Sequence, residues 1–252
     1  MSSEPGGAYL WAARRERIFV LLGLTFVVAA GLWGTLATGD WLMLPSAPAE
    51  GSLAYILLLF AMWWTMMMAM MLPAAAPAIL SYGAVARKNA KAGSITTFVL
   101  GYAAVWSAFS AAAVFLQILT SNLIPLTGMM AVTSKSIAGV LLVAAGIYQF
   151  TPLKNACLKH CQSPFFYIAH HWKNGGHGAF RMGVQHGIYC AGCCWVLMLL
   201  LFYGGVMEIT WIVGLALYVA MEKLIPPRFH VDRVAGCALV IWGIWVLAGN
   251  IS

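Results

Sequence analysis

The amino-acid sequence predicts an all-α, polytopic membrane helix bundle, and three observations lead to that prediction. Of the 252 residues, 62% are hydrophobic and only 8% are charged, whereas soluble domains carry about 25% charged residues. The hydrophobic residues are gathered into repeated runs of about 20, the length that a helix needs to cross a bilayer. Interleaved amphipathic strands, which would indicate a membrane barrel, are absent. One membrane domain fits this length.

The first predicted span covers residues 18–38 and follows a polar head at residues 1–17 that ends in a run of arginines. A basic flank before an apolar run is also typical of a signal peptide, but this run is too long for one and more spans follow. We therefore predict a cytoplasmic head and one transmembrane domain at residues 18–252. The six further predicted spans are residues 52–80, 94–119, 136–150, 183–207, 209–221 and 234–247.

The basic residues favour this topology with the amino end inside the cell. Seven spans place every one of the 14 Lys and Arg residues except Lys135 in a cytoplasmic segment. An excess of Lys and Arg in the inner loops is what orients membrane proteins. The net charge of +7 is therefore assigned to topology, so that the lipid bilayer and not nucleic acid is the predicted partner.

A cytoplasmic loop at residues 151–183 holds the first group of candidate metal ligands. Thr151 and Pro152 are typical of a helix start, with Thr as the cap and Pro at the first helical position. Pro164 is expected to end this short helix. Spaced at i, i+3 and i+4 along it are Cys157, His160 and Cys161.

The second group of candidate ligands lies in residues 183–198, which read G-V-Q-H-G-I-Y-C-A-G-C-C-W-V-L-M at the start of the fifth span. On a helix, His186, Cys190 and Cys193 form one stripe, and Cys194 lies beside it. The predicted topology places these thiols near the cytoplasm, where thiols stay reduced. We therefore expect free thiols or metal thiolates and not disulfides.

Thiolates and imidazoles on shared helix faces are the ligands that a soft or borderline transition metal needs. Four thiolates from Cys157, Cys161, Cys190 and Cys193 would suit copper(I), which we favour, or a closed tetrahedral zinc site. The spacings match neither a standard zinc ribbon nor a common iron–sulfur motif. The alternative is that these cysteines pack as small apolar residues between helices, which is the expected role of the isolated Cys237.

Two further features extend the candidate site. Six of the 14 methionines fall within residues 62–71, and thioethers bind copper(I), although methionine also fills irregular gaps in a core. Glu222, at the inner end of the sixth span, is either a ligand or partner of a histidine, or an interfacial side chain. The complete set of predicted metal ligands is Cys157, Cys161, Cys190, Cys193, Cys194, His160, His186, Met66, Met70 and Glu222.

Four motifs together resemble a bacterial family of predicted metal-binding integral membrane proteins of unknown function. They are W-x-x-M-x-x-A-M-M-x-P from Trp63, Y-Q-F-T-P-L-K-x-x-C-L-x-x-C from Tyr148, G-x-x-x-G-x-Y-C-x-G-C-C-W-x-L-M from Gly183, and M-E-K from Met221. The resemblance covers roughly residues 50–250. It implies a multi-pass protein of the bacterial inner membrane that binds a metal, without implying a reaction.

The leading hypothesis is a protein for copper(I) transport, delivery or homeostasis, with the thiols near the cytoplasmic face and the methionines as a conduit. Its expected partners are the metal ion, a soluble metal chaperone or another membrane complex. Two alternatives remain: a membrane thiol redox enzyme, and a zinc-clamped protein that helps to assemble another complex. No catalytic residues are predicted, because the sequence has no phosphate-binding glycine loop, nucleophile elbow or H-E-x-x-H motif.

Overall fold

The computed structural model describes residues 22–23, 25–26, 28–39, 41–42, 48–49, 51–89, 91–121, 134–225 and 227–249. Within these ranges the chain is helical and has no β-strand, apart from one isolated bridge between Ala92 and Gly175, which confirms the all-α class. A helical stretch at 28–39 precedes helices α1 Leu53–Ala74, α2 Ala76–Ala86, α3 Ile95–Ser121, α4 Lys135–Tyr148, α5 Pro152–Gln162, α6 Pro164–His170, α7 Gly175–Leu199, α8 Leu201–Gly204, α9 Ile209–Leu224 and α10 Val231–Leu247.

Four helical segments of the described chain are long and apolar enough to cross a membrane. They are Leu53–Ala74, Ile95–Thr120, Gly175–Gly204 and Pro227–Leu247, and a fifth arises if α4 and α5, bent by 65°, form one span. Most of the predicted first span lies outside the described residues, and α9, the predicted sixth, has only 16 residues. The count of seven spans and the cytoplasmic amino end therefore stay predictions.

Several helix limits differ from the predicted ones for identifiable reasons. The second predicted span breaks at Ala75, because Pro77 in the first turn of α2 lacks an N–H group and its ring clashes with the carbonyl four residues earlier. The fifth begins at Gly175 and not at residue 183. The predicted loop at 151–183 is therefore largely helical.

Large apolar side chains cover much of the outer surface of the bundle. Phe115, Leu217 and Ile241 are each at least 60% exposed, although they lie within long apolar helices. A soluble protein rarely exposes so much apolar surface, whereas lipid tails solvate it. The interior holds the methionines of α1, of which Met62, Met66, Met67, Met68, Met70 and Met71 are all buried.

Close helix packing in the bundle depends on glycines. A Cβ atom at Gly101 of α3 would lie 2.2 Å from the carbonyl oxygen of Phe180, and one at Gly183 of α7 would lie 2.0 Å from that of Phe98. The backbones of α3 and α7 therefore touch, as small residues allow in membrane helices. A similar glycine contact joins α4 to α10 through Gly139 and Gly243.

Helix α5 has the limits that its sequence predicts. The Thr151 hydroxyl accepts a hydrogen bond from the Lys154 amide at 3.3 Å, Pro152 is the first helical residue, and the helix ends before Pro164. α5 packs on α7 and also contacts α9. It therefore brings Cys157 and Cys161 against the helix that carries the second group of cysteines.

Candidate metal centre

Three thiols from two distant parts of the chain meet inside the bundle. The Cys161 thiol of α5 interacts with the thiols of both Cys190 and Cys193 of α7. Cys190 and Cys193 are fully buried and Cys161 is 7% exposed, and all three are free cysteines. We refer to Cys161, Cys190 and Cys193 as the thiol cluster. It has the sulfur-rich, water-poor surroundings that a soft metal ion favours.

A glycine in α7 allows α5 to approach closely enough for this contact. A Cβ atom at Gly192 would lie 2.8 Å from the sulfur of Cys157. The Gly192 carbonyl also accepts a hydrogen bond from the hydroxyl of Tyr148, the last residue of α4. Cys157 is thus buried against the α7 backbone beside the thiol cluster.

Two thiols of α7 are turned toward their own helix. Cys193 and Cys194 donate hydrogen bonds to the Cys190 carbonyl at 3.1 and 3.0 Å. The Cys194 sulfur also lies 4.0 Å from the thioether sulfur of Met71 on α1. The methionine run of α1 therefore reaches the cysteines through Met71.

The Cys190 sulfur has two polar neighbours from other helices. The Lys223 ammonium group of α9 donates to it at 2.9 Å, and the hydroxyl oxygen of Tyr102 on α3 lies 3.0 Å away. The same hydroxyl donates to the carbonyl of Met71 at 3.0 Å. Lys223 and Tyr102 are both buried, so four helices contribute groups around one sulfur atom.

The two candidate histidines occupy different positions. His186 is buried in α7, and its ring centre lies 5.8 Å from that of Tyr102. His160 lies at the surface side of the cluster, where its ring stacks on Tyr189 at 4.0 Å and its Nδ1 lies 2.8 Å from the Ala156 carbonyl oxygen. The ring of the neighbouring Tyr167 contacts His160. Burial, and to a smaller extent a hydrogen bond with Tyr189, raise the pKa of Tyr167 to about 12.

Glu222 is held in a buried ion pair instead of facing the thiols as a free ligand. Its two carboxylate oxygens each lie 2.7 Å from the Lys154 ammonium group, and one accepts a hydrogen bond from Tyr218 at 2.7 Å. Gln149 donates to that tyrosine oxygen at 3.1 Å, and Gln162 donates to the Glu222 carbonyl at 2.9 Å. This network fastens α5 to α9.

A polar cavity of about 250 Å³ opens beside α5 and the start of α10, and its lining includes Lys159, Gln162, Asp232 and Arg233. A second, very small cavity shares Gln162 and Asp232 with it and touches Glu222. Both cavities therefore lie at the end of the bundle near Glu222, and neither is lined by a thiol.

No three or more His, Cys, Asp or Glu side chains within the described ranges are arranged to hold a metal ion. A tetrahedral zinc site needs four ligands. Of the ten predicted ligands, the structure brings together Cys161, Cys190 and Cys193, with Cys157, Cys194 and His186 close by. Met66 and Met70 are buried in the core of α1, and Glu222 is paired with Lys154.

Sequence reasoning missed Lys223, Tyr102 and Met71 as neighbours of the thiols, and Lys154 as the partner of Glu222. Lys223 had a signal, because it directly follows Glu222 in the M-E-K motif and is charged at the end of an apolar helix. Tyr102 had none, since a tyrosine within a long apolar helix has many ordinary packing roles.

The chain was compared with known proteins. The family model PpoB2, described as copper chaperone, matches residues 60–246, which is 187 of the 252 residues and includes every cysteine. No curated protein matches the chain, and no solved structure matches it. Because the family match covers well over half of the sequence, the chain belongs to the PpoB2 copper chaperone family.

Proposed function

We propose that this protein is a copper(I) chaperone of the bacterial inner membrane that holds the ion at the thiol cluster and passes it to a partner. The observation that carries the proposal is the meeting of Cys161 with Cys190 and Cys193. These residues are 29 and 32 positions apart (190 − 161 and 193 − 161), and the fold buries their sulfurs together. The family assignment supports a copper-related role.

The donor atoms favour copper(I) among transition metals. Thiolates and thioethers are soft ligands that select copper(I), and Met71 adds a thioether beside Cys194. Two thiolates suffice for copper(I), whereas structural zinc takes four ligands. The three residues of the thiol cluster therefore exceed what copper(I) needs and by themselves fall short of a four-ligand zinc site.

The apolar helices and the charge pattern support a membrane location with the thiol cluster toward the cytoplasm. Four candidate spans are compatible with insertion, and only Lys135 among 14 basic residues is predicted to lie outside. A reporter fusion after residue 91 is expected on the cytoplasmic side and one after residue 130 on the opposite side. The reverse result would invalidate the proposed orientation.

A delivery role requires that a partner opens the site. The three thiols are buried, so copper enters and leaves when a partner displaces side chains near Glu222, where the small cavity lies. The partner is a soluble metal chaperone or another membrane complex. The buried methionines of α1 provide thioethers for movement of copper along that helix.

The test is copper(I) binding by the full-length protein in detergent under reducing conditions. Competition with a chromophoric copper(I) chelator is expected to give one tightly bound ion per chain. Cys161→Ser and Cys193→Ser are each expected to weaken binding, because two thiols of the cluster remain in each variant, and the double variant is expected to lose the ion. Cys237→Ser is the matched control, because Cys237 is exposed and lies in α10 away from the cluster.

Unchanged copper content in the double variant Cys161→Ser/Cys193→Ser would refute the site. Zinc that copurifies with the protein and leaves only when the protein unfolds would instead favour a structural metal clamp. Elemental analysis of the purified protein before and after chelation separates these results.

A further inference from the structure

Lys223 is a buried cation without a carboxylate partner among the described residues. Its side chain is 6% exposed, and its ammonium group donates to the Cys190 sulfur at 2.9 Å. The other buried lysine, Lys154, is neutralised by Glu222 at 2.7 Å. Among the described residues, no carboxylate therefore neutralises Lys223, and its charge lies directly against a candidate ligand.

We propose that Lys223 determines the metal selectivity of the thiol cluster by favouring a singly charged ion over a doubly charged one. This inference rests on the proposed function, since it concerns the same thiols. Lys223 itself binds no metal in this scheme. Its fixed charge compensates the charge of the metal–thiolate complex in a place where water is scarce.

The charge count explains the selectivity. When two thiols of the cluster lose their protons to bind the ion and the third keeps its proton, the copper(I) complex carries a net charge of −1, which the Lys223 ammonium group neutralises. A divalent ion with the same two thiolates is neutral and leaves the Lys223 charge uncompensated. Burying an unpaired charge is unfavourable. The two complexes differ by one unit charge whatever the protonation state of the free thiols.

Binding is balanced by protons from the thiols and not from Lys223. When copper(I) binds two neutral thiols, two Cu–S bonds form, two S–H bonds break and two protons leave to water. No oxidant or reductant takes part. The Lys223 ammonium group keeps its proton, and its hydrogen bond to Cys190 persists because a bound thiolate still has lone pairs.

The test compares copper(I) and zinc(II) affinity in the full-length, reduced protein and in Lys223→Leu, which removes the charge and adds no metal ligand. Chelator competition for each ion gives the ratio of the two dissociation constants. Lys223→Leu is expected to weaken copper(I) binding and reduce the preference for copper(I) at least about tenfold, given the strength of charge interactions at this distance. Lys223→Arg, which keeps the charge, is expected to retain more of the preference.

Lys159→Leu is the matched control, because Lys159 is an exposed lysine on α5 two residues before Cys161. Its copper preference should equal that of the wild type. If Lys223→Leu folds and keeps the wild-type preference, the inference is wrong although copper binding stands. Absence of copper(I) binding in the wild type would instead refute the proposed function.

A second measurement covers the case in which Lys223→Leu does not fold. Silver(I) and cadmium(II) are both soft ions but differ in charge. Relative to a simple dithiol peptide, the wild-type protein is expected to enhance silver(I) binding more than cadmium(II) binding. Equal enhancement of the two ions would overturn the role of Lys223.

Discussion

The Lys154 ammonium group lies 2.7 Å from the Glu222 carboxylate, and neither residue is more than 2% exposed. Lys154 is one turn before Cys157 on α5, and Glu222 directly precedes Lys223 on α9. The pair therefore sets the position of α5 and of the Lys223 ammonium group at the same time. It is the polar connection that fixes both sides of the thiol cluster.

Removing one partner of this pair is expected to destabilise the protein strongly. Lys154→Met leaves the Glu222 carboxylate buried with only Tyr218 as a side-chain donor. Breaking a buried ion pair from one side typically costs about 3–5 kcal/mol. Thermal unfolding in detergent should show a clear decrease, and copper(I) affinity should fall because α5 is no longer held in place.

The double variant Lys154→Met/Glu222→Gln is the control for this prediction. It removes both charges, so that no uncompensated carboxylate remains, and much of the lost stability should return. A double variant less stable than Lys154→Met would contradict the view that an unpaired charge causes the loss.

Gly192→Ala is expected to separate α5 from α7. The new Cβ atom would lie 2.8 Å from the Cys157 sulfur, and buried overpacking of this kind costs about 1–3 kcal/mol. Since Cys161 lies one turn further along α5, its sulfur should move away from the sulfurs of Cys190 and Cys193. We expect copper(I) affinity to fall about tenfold, which corresponds to 1.4 kcal/mol.

Gly214→Ala is the matched control for the α7 substitution. Gly214 lies in α9, and a Cβ atom there meets nothing within 4 Å. Its copper(I) affinity and unfolding temperature should stay close to wild type. Full copper(I) affinity in Gly192→Ala would show that the approach of α5 to α7 is not required for binding.

The raised pKa of Tyr167 predicts how the stability of the protein changes at alkaline pH. Burial raises its pKa to about 12, compared with about 10 for an unperturbed tyrosine. The folded state therefore retains a proton that the unfolded state releases, so this contribution to stability is complete below pH 10 and is lost between about pH 10 and 12. The unfolding temperature of the wild type should fall across that range more steeply than that of Tyr167→Phe. Parallel pH curves would count against the raised pKa.

Local sequence signals predicted α5 well because its limits depend on residues that act within one turn. Thr151 accepts the amide of Lys154, and Pro164 cannot continue the helix. The start of α7 was mispredicted for the opposite reason. Gly175 and Gly178 read as loop residues, yet a Cβ atom at Gly178 would lie 2.6 Å from the Lys173 backbone. The path of the segment that enters α7, which the sequence alone does not display, therefore explains the glycine at 178.

The same distinction applies to the candidate site. The stripe of His186, Cys190 and Cys193 follows from helical periodicity, and its meeting with Cys161 was the central prediction from the spacing of the cysteines. The contacts of Lys223 and Tyr102 with Cys190 depend on how α9 and α3 are rotated against α7. A helix that is apolar on all sides has no hydrophobic stripe from which its rotation could be predicted. The contacts of Lys223 and Tyr102 with Cys190 were therefore not predictable from the sequence.

Methionine substitutions separate a ligand role from a packing role on α1. The Met71 sulfur lies 4.0 Å from the Cys194 sulfur, whereas Met66 lies more than one turn earlier in α1. Both methionines are at most 1% exposed. Leucine at either position keeps the apolar volume and should cost less than about 1.5 kcal/mol in stability. Met71→Leu alone removes a thioether next to the thiols, so its copper(I) affinity should fall about tenfold.

Copper(I) titration of Met71→Leu and Met66→Leu side by side checks this difference. Near-wild-type affinity for Met66→Leu is expected, because its sulfur lies in the apolar core of α1. Equal losses in the two variants would favour the original prediction that Met66 binds copper. A loss in neither variant would assign the methionine run to packing alone, since a thioether that binds the ion cannot be replaced by a hydrocarbon without effect.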